Sequence, residues 1–194
     1  MCKLMKIKLL KKKSVNSTND LAIKLIKKNI LKPTLITSLI QKKGRGRMGK
    51  KWISQKGNLF ISIFFEIDPR KLNFKQYAIL NANLIKNAIS KYSTEKINIK
   101  WPNDLLIGDK KICGILQETI DYKEKKFIII GVGINTNSSP IIKNFRTISL
   151  KDMLKRDVNN NNVIQAIKKI YEKFIKDIES DNFSNLKKKI SINK

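Results

Sequence analysis

Between Gln41 and Trp52 the chain reads QKKGRGRMGKKW. Glycines at 44, 46 and 49 alternate with Arg45 and Arg47, and Lys50, Lys51 and Trp52 follow. Glycine allows positive φ and close approach of the backbone to a ligand. Guanidinium is a planar fork that grips phosphate or carboxylate through two bonds, and an indole offers a face to a base. These types at this spacing describe a loop that wraps a nucleotide phosphate. The chain has 37 lysines and five arginines, and two of the five fall here, so the positions require bidentate geometry rather than charge alone. The stretch nearly spells a P-loop but is not one. Lys51 stands where a hydroxyl should hold Mg²⁺, and WISQKGNLFISIFF reads as a strand rather than the helix whose N-terminus would take the phosphate. On these residues alone, an arginine–glycine loop binding nucleic acid without sequence preference stays open.

Other segments carry the same signature. All eight glycines lie in or beside a few stretches: 44, 46, 49 and 57; 108 and 114; 131 and 133. The pair in FIIIGVGIN sits inside a strand pattern, where a missing side chain admits a ligand or another backbone, and Asn135 closes that strand. KWPND, residues 100–104, presents Asn103 and Asp104 where a strand gives way to a loop. Lys111 precedes the apolar ICGIL run. Ser17-Thr18-Asn19 opens a helix, where short polar side chains cap the helix and can also face a ligand. The chain has no histidine, which removes imidazole acid–base chemistry and most transition-metal sites. Cys2 and Cys113 form no metal or redox spacing. Any divalent ion would be a hard cation held by carboxylates and phosphate oxygens.

These residues need a scaffold. Residues 6–12 are expected as a first strand and Leu21, Ala22, Leu25 and Ile26 as the inner face of a first helix. Strands follow at 34–40 and 58–67, then a helix over 74–92, a short strand at 96–100 and a hairpin of 105–107 with 111–120. A strand ending in GVGIN and an amphipathic helix over 163–178 complete the set. This order predicts an α+β domain, a mixed and mostly antiparallel sheet with helices packed on one face. Length, 194 residues, fits one domain over 1–180 and a short basic tail over 181–194. Formal net charge is +27, which invites nucleic acid, but Lys, Ile and Asn are all abundant and share AT-rich codons. From Leu21 to Phe65 there is no acidic residue against eleven basic ones. No signal peptide or bilayer-length apolar run is read, so a cytoplasmic protein is expected, with no membrane association.

GRGRMGKKW, KWPND, KKICGIL and GVGIN, in this order, with STN and with Gln41 three residues before the GRGR run, resemble the catalytic domain of biotin protein ligases. The resemblance implies a fold like that of class II aminoacyl-tRNA synthetases. It implies ATP-dependent ligation in two steps: biotin and ATP, with Mg²⁺, give biotinyl-5′-AMP and pyrophosphate, and biotin then passes to a lysine of a biotin carboxyl carrier protein or domain. By the same resemblance Ser17, Thr18, Asn19 and Gln41 would bind the ureido ring. Arg45, Gly46 and Arg47 would close over biotin and the adenylate. Lys111 would bind the carboxylate and the α-phosphate, with Arg47 and Asp104 as further catalytic residues. Trp52 and Asn135 would serve the adenosine side, and Lys100, Asn103 and Asp104 would orient phosphate, metal or the incoming amine. No residue of this chain is expected to form a metal site by itself. The family's N-terminal helix-turn-helix and C-terminal β-barrel are not evident, so specific DNA binding is not expected, and a monomer or weak homodimer is. Lipoate and octanoate ligases or transferases share this fold and form the alternative substrate class; a non-catalytic nucleic-acid module is the other.

Overall fold

The computed structural model describes residues 6–143 and 145–180; the expected tail over 181–194 lies outside them. Among the described residues seven strands form one sheet. In chain order they are β1 (Lys8–Val15), β2 (Thr34–Gln41), β3 (Leu59–Ile67), β4 (Ile97–Lys100), β5 (Asp104–Ile107), β6 (Lys110–Tyr122) and β7 (Lys125–Ile134). Four α-helices accompany them: α1 (Thr18–Lys27), α2 (Phe74–Ser90), α3 (Leu150–Leu154) and α4 (Asn160–Glu179). The spatial order is β1-β2-β3-β7-β6-β5-β4. Only β1 and β2 run parallel, joined across α1, and the other neighbours are antiparallel.

The expected α+β class with a mixed, mostly antiparallel sheet is the one observed. Alternation along the strands splits the sheet into two faces. Leu59, Ile61, Ile63 and Phe65 of β3 and Ile128, Ile130, Val132 and Ile134 of β7 belong to the main core with α2 and α4. There Phe174 stacks edge-on against Phe65, Tyr77 and Tyr171. The intervening positions, Ile36, Phe64, Phe127 and Ile129, pack on Ala22 and Ile26 of α1. The two long helices therefore share one face as expected, whereas α1, expected on that same face, packs on the other. Beside α1 that second face carries Ser62, Gly114, Gly131 and Gly133, small residues that leave a hollow instead of a core.

Caps set the helix starts. Ser17 accepts from the Asp20 amide at the start of α1, and Asn73 with Gln76 forms a capping box on α2. KWPND is tighter than expected. β4 ends at Lys100, residues 101–103 turn through a cis Trp101–Pro102 peptide, and Asp104 already begins β5. The strand expected over 58–67 is observed as Leu59–Ile67, and α3 is an element the sequence pattern did not reveal.

Candidate active site

The hollow beside α1 is a cavity of about 690 Å³. Ser17, Thr18, Asn19, Gln41, Arg45, Gly46, Arg47, Trp52, Lys100, Asn103, Asp104, Lys111 and Asn135 all line it. Every site residue singled out in the sequence is thus brought to one place by the α1 start, the end of β2, the β4–β5 turn, β6 and the end of β7.

The arginine stretch is a small hairpin. The Trp52 amide donates to Gly44 O (2.9 Å), the Gly46 amide to Lys50 O (2.7 Å), and a 3₁₀ turn over Arg47–Gly49 forms the tip. Both arginines point back to the protein. Arg45 donates through Nη1 and Nη2 to the two carboxylate oxygens of Glu118, each at 2.8 Å, and Nη2 also meets Asp20 at 2.9 Å. These hydrogen bonds to Glu118, outweighing partial burial, raise the guanidinium above its ordinary pKa. Arg47 Nη1 donates to Asn103 Oδ1 (2.8 Å). Asn103 in turn donates to Asp104 (3.1 Å), and Asp104 pairs with Lys111 Nζ at 2.8 Å. Loop tip and lysine thus belong to one chain of polar contacts. The Lys111 ammonium also lies 5.4 Å from the Trp52 ring and 5.5 Å from that of Phe145, within reach of cation–π attraction.

The other end of the cavity is polar and neutral. Gln41 Oε1 accepts from the Thr18 amide (2.8 Å) and hydroxyl (3.0 Å), while its Nε2 donates to Ser54 Oγ (3.2 Å). One Gln41 N–H, the Ser17 O–H and the lone pairs of Thr18 Oγ1 are left for a ligand. Asn19 is different. Its amide donates to Glu118 Oε2 (2.6 Å) and Leu116 O (3.3 Å), and its Oδ1 accepts from Ser62 (2.5 Å). Both of its N–H groups are thus taken inside the protein, and Asn19 forms a wall more than a free donor.

The glycines of β6 and β7 find their reason here. A Cβ on Gly131 would land on the Asn19 amide, and one on Gly133 or Gly114 inside the Trp52 ring, at 2.6 Å from the nearest ring atom for Gly114. The space they vacate is filled by two of the site's own side chains. Trp52 Nε1 and the Oδ1 of buried Asn135 have no hydrogen-bond partner among the described residues. A buried donor and a buried acceptor are therefore left unpaired on the Trp52 side. No cluster of three or more His, Cys, Asp or Glu is formed among the described residues. Sequence reasoning missed Glu118, Ser62 and Asp20 as parts of the site. It also missed the 140–147 segment, whose Phe145, Arg146 and Thr147 border Lys111.

Residues 12–135 match the biotin/lipoate A/B protein ligase family. The bifunctional ligase/repressor BirA of Bacillus subtilis is 33% identical over 180 residues, covering 89% of this chain and 55% of its own. Biotin–protein ligase 2 of Arabidopsis thaliana is 33% identical over 165 residues, covering 79% of this chain and 48% of its own. This chain therefore spans about half the length of these relatives. The solved structure of the biotin protein ligase from Aquifex aeolicus in complex with biotin and ATP superposes with a TM-score of 0.77 at 30% identity, over 94% of this chain and 76% of that one.

Proposed function

This chain belongs to the biotin/lipoate A/B protein ligase family, and from that premise we propose that it activates biotin with ATP and transfers it to a lysine of a biotin carboxyl carrier domain. The observation that carries this reading is the polarity of the cavity. A neutral, hydrogen-bonding end at Ser17, Thr18 and Gln41 faces a cationic end at Arg47, Lys100 and Lys111. From β2 to β6 is three strand spacings, roughly 14 Å of sheet. Biotin has this shape, a cyclic urea at one end and a carboxylate at the other. The urea carbonyl takes the Ser17 O–H and the Gln41 N–H, and a ring N–H donates to Thr18 Oγ1. A dithiolane ring in the same place would leave these groups unpaired, a loss that costs far more discrimination than a misfitted methylene.

At the cationic end two anions must meet. Lys111 neutralises the carboxylate and the α-phosphate together, and Arg47 stabilises charge on the phosphoryl oxygens. A carboxylate oxygen bonds to the α-phosphorus while the bond to the β-phosphate oxygen breaks and pyrophosphate leaves. In the second step the neutral amine of the acceptor lysine attacks the carbonyl of the mixed anhydride, loses its proton, and AMP departs. Lys100, Asn103 and Asp104 border the path of that amine, and Asp104 carries the carboxylate best placed to orient it. Trp52 and Asn135 take the adenine edge. A Mg²⁺ ion arriving with ATP would draw most of its ligands from phosphate oxygens, with Asp104 and Asp109 the carboxylates that line the cavity.

Calorimetry with biotin and with lipoate tests the assignment. Saturable biotin binding with at least a hundredfold weaker lipoate binding is expected; equal or reversed affinities would overturn it.

A further inference from the structure

Glu118 does not line the cavity, yet two parts of the site converge on it. One carboxylate oxygen takes Arg45 Nη1, and the other takes both Arg45 Nη2 and the Asn19 amide. Asn19 stands on the cavity wall against Gly131, and Arg45 stems from the first half of the loop hairpin. Glu118 sits on β6 in register with Ile129 of β7, so its position is fixed by the centre of the sheet. Asp20, the second carboxylate on Arg45, is more exposed than Glu118, with 47% against 27% of the side chain open, and its single contact is the more strongly screened.

Building on the proposed function, we propose that Glu118 is a positioning residue that couples the neutral pocket to the loop. It fixes which way the Asn19 amide points, so that Oδ1 faces Ser62, and it latches the hairpin over the cavity through Arg45. An acidic residue is needed because only a carboxylate accepts both prongs of the guanidinium and an amide N–H at once. A glutamine has one carbonyl oxygen, and its NH₂ group would face Arg45.

The substitutions separate the two tasks. Glu118→Gln keeps an acceptor for Asn19 and weakens the latch; Glu118→Ala removes both; Asp20→Asn removes only the exposed contact. In the ligand-free protein, amide hydrogen exchange at Gly46 and Trp52, the two hairpin bonds, should speed up about tenfold in Glu118→Gln and change less than about threefold in Asp20→Asn. Exchange in the α2–α4 core should stay as in the parent, which separates release of the loop from general loosening. With substrates, Glu118→Gln should raise the release rate of biotinyl-5′-AMP about tenfold with a small change in biotin KM, and Glu118→Ala should raise both. Adding Arg45→Ala to Glu118→Gln should add nothing further. Unchanged loop exchange in Glu118→Gln, or a larger effect from Asp20→Asn, would overturn the proposal. The exchange measurement needs no substrate, so a parent protein that fails to handle biotin would refute the ligase reading and leave the latch to be judged by that measurement.

Discussion

In the proposed reaction Lys111 is the residue on which the chemistry bears most heavily, and its surroundings say why a lysine would stand there. Only 16% of its side chain is open to solvent, Asp104 holds its ammonium at 2.8 Å, and two aromatic rings flank it. The ammonium is a compact charge that can leave the carboxylate for an incoming phosphate on a flexible stem, which a guanidinium fork cannot do in the same space. Lys111→Ala should lower the rate of biotin activation about 10²–10³-fold, and Lys111→Arg should not restore it; activation within threefold of the parent in either variant would contradict the role. Cys113, two residues on in the same strand, makes the opposite case. It is fully buried, and burial pushes its thiol well above the ordinary range. Thiolate is the reactive form, so at pH 8, below that raised value, Cys113 stays protonated. In a Cys2→Ser background a disulfide reagent should modify the protein only on unfolding, and rapid labelling of the native form would contradict the placement. At this scale motif order picked out the cations and amides that line the cavity. It did not reveal Glu118, because a glutamate in an alternating strand reads as solvent-facing and its partner Arg45 lies 73 positions away. Only the register of β6 against its neighbours brings them together.

The elements explain why so many small residues were needed. Gly114, Gly131 and Gly133 lie side by side on β6 and β7, since Gly114 pairs with Gly133 and Leu116 with Gly131, and each makes room for Trp52 or Asn19. Gly133→Ala should expel the Trp52 ring at a cost of about 1–3 kcal/mol in stability. The measurement is tryptophan fluorescence alongside thermal unfolding. Because Trp101 is already 43% exposed, a shift to longer wavelength reports mainly on Trp52; an unshifted spectrum would contradict the packing. The sequence announced an unusual strand at GVGIN but not what fills the gap, because the occupants come from a loop and a helix start far along the chain. Long periodic elements such as α2 and α4 were legible from apolar spacing alone. The five-residue α3 and the 3₁₀ turn at Arg47–Gly49 were not, since neither is long enough to show a period. Amphipathicity showed that α1 has a buried face but not that it packs on the side of the sheet opposite α2 and α4.

For the whole molecule, the charge of +27 and the geometry of the cavity point in different directions. In the cavity Arg45 is matched by Glu118 and Asp20 and Lys111 by Asp104, whereas Arg47 meets the neutral amide of Asn103 and keeps its charge for a ligand. Many of the remaining lysines are exposed, among them those of β1, an edge strand where lysine discourages pairing with another chain. Among the described residues no helix is long and apolar enough to cross a membrane. The central claim concerns the enclosed site and not the basic exterior: a neutral pocket and a cationic end hold biotin and the α-phosphate of ATP in reacting contact. Exchange of labelled pyrophosphate into ATP, measured on the intact protein with Mg²⁺, reads that step alone. Label entering ATP only when biotin is present is the expected result; no biotin-dependent exchange in correctly folded protein would contradict it.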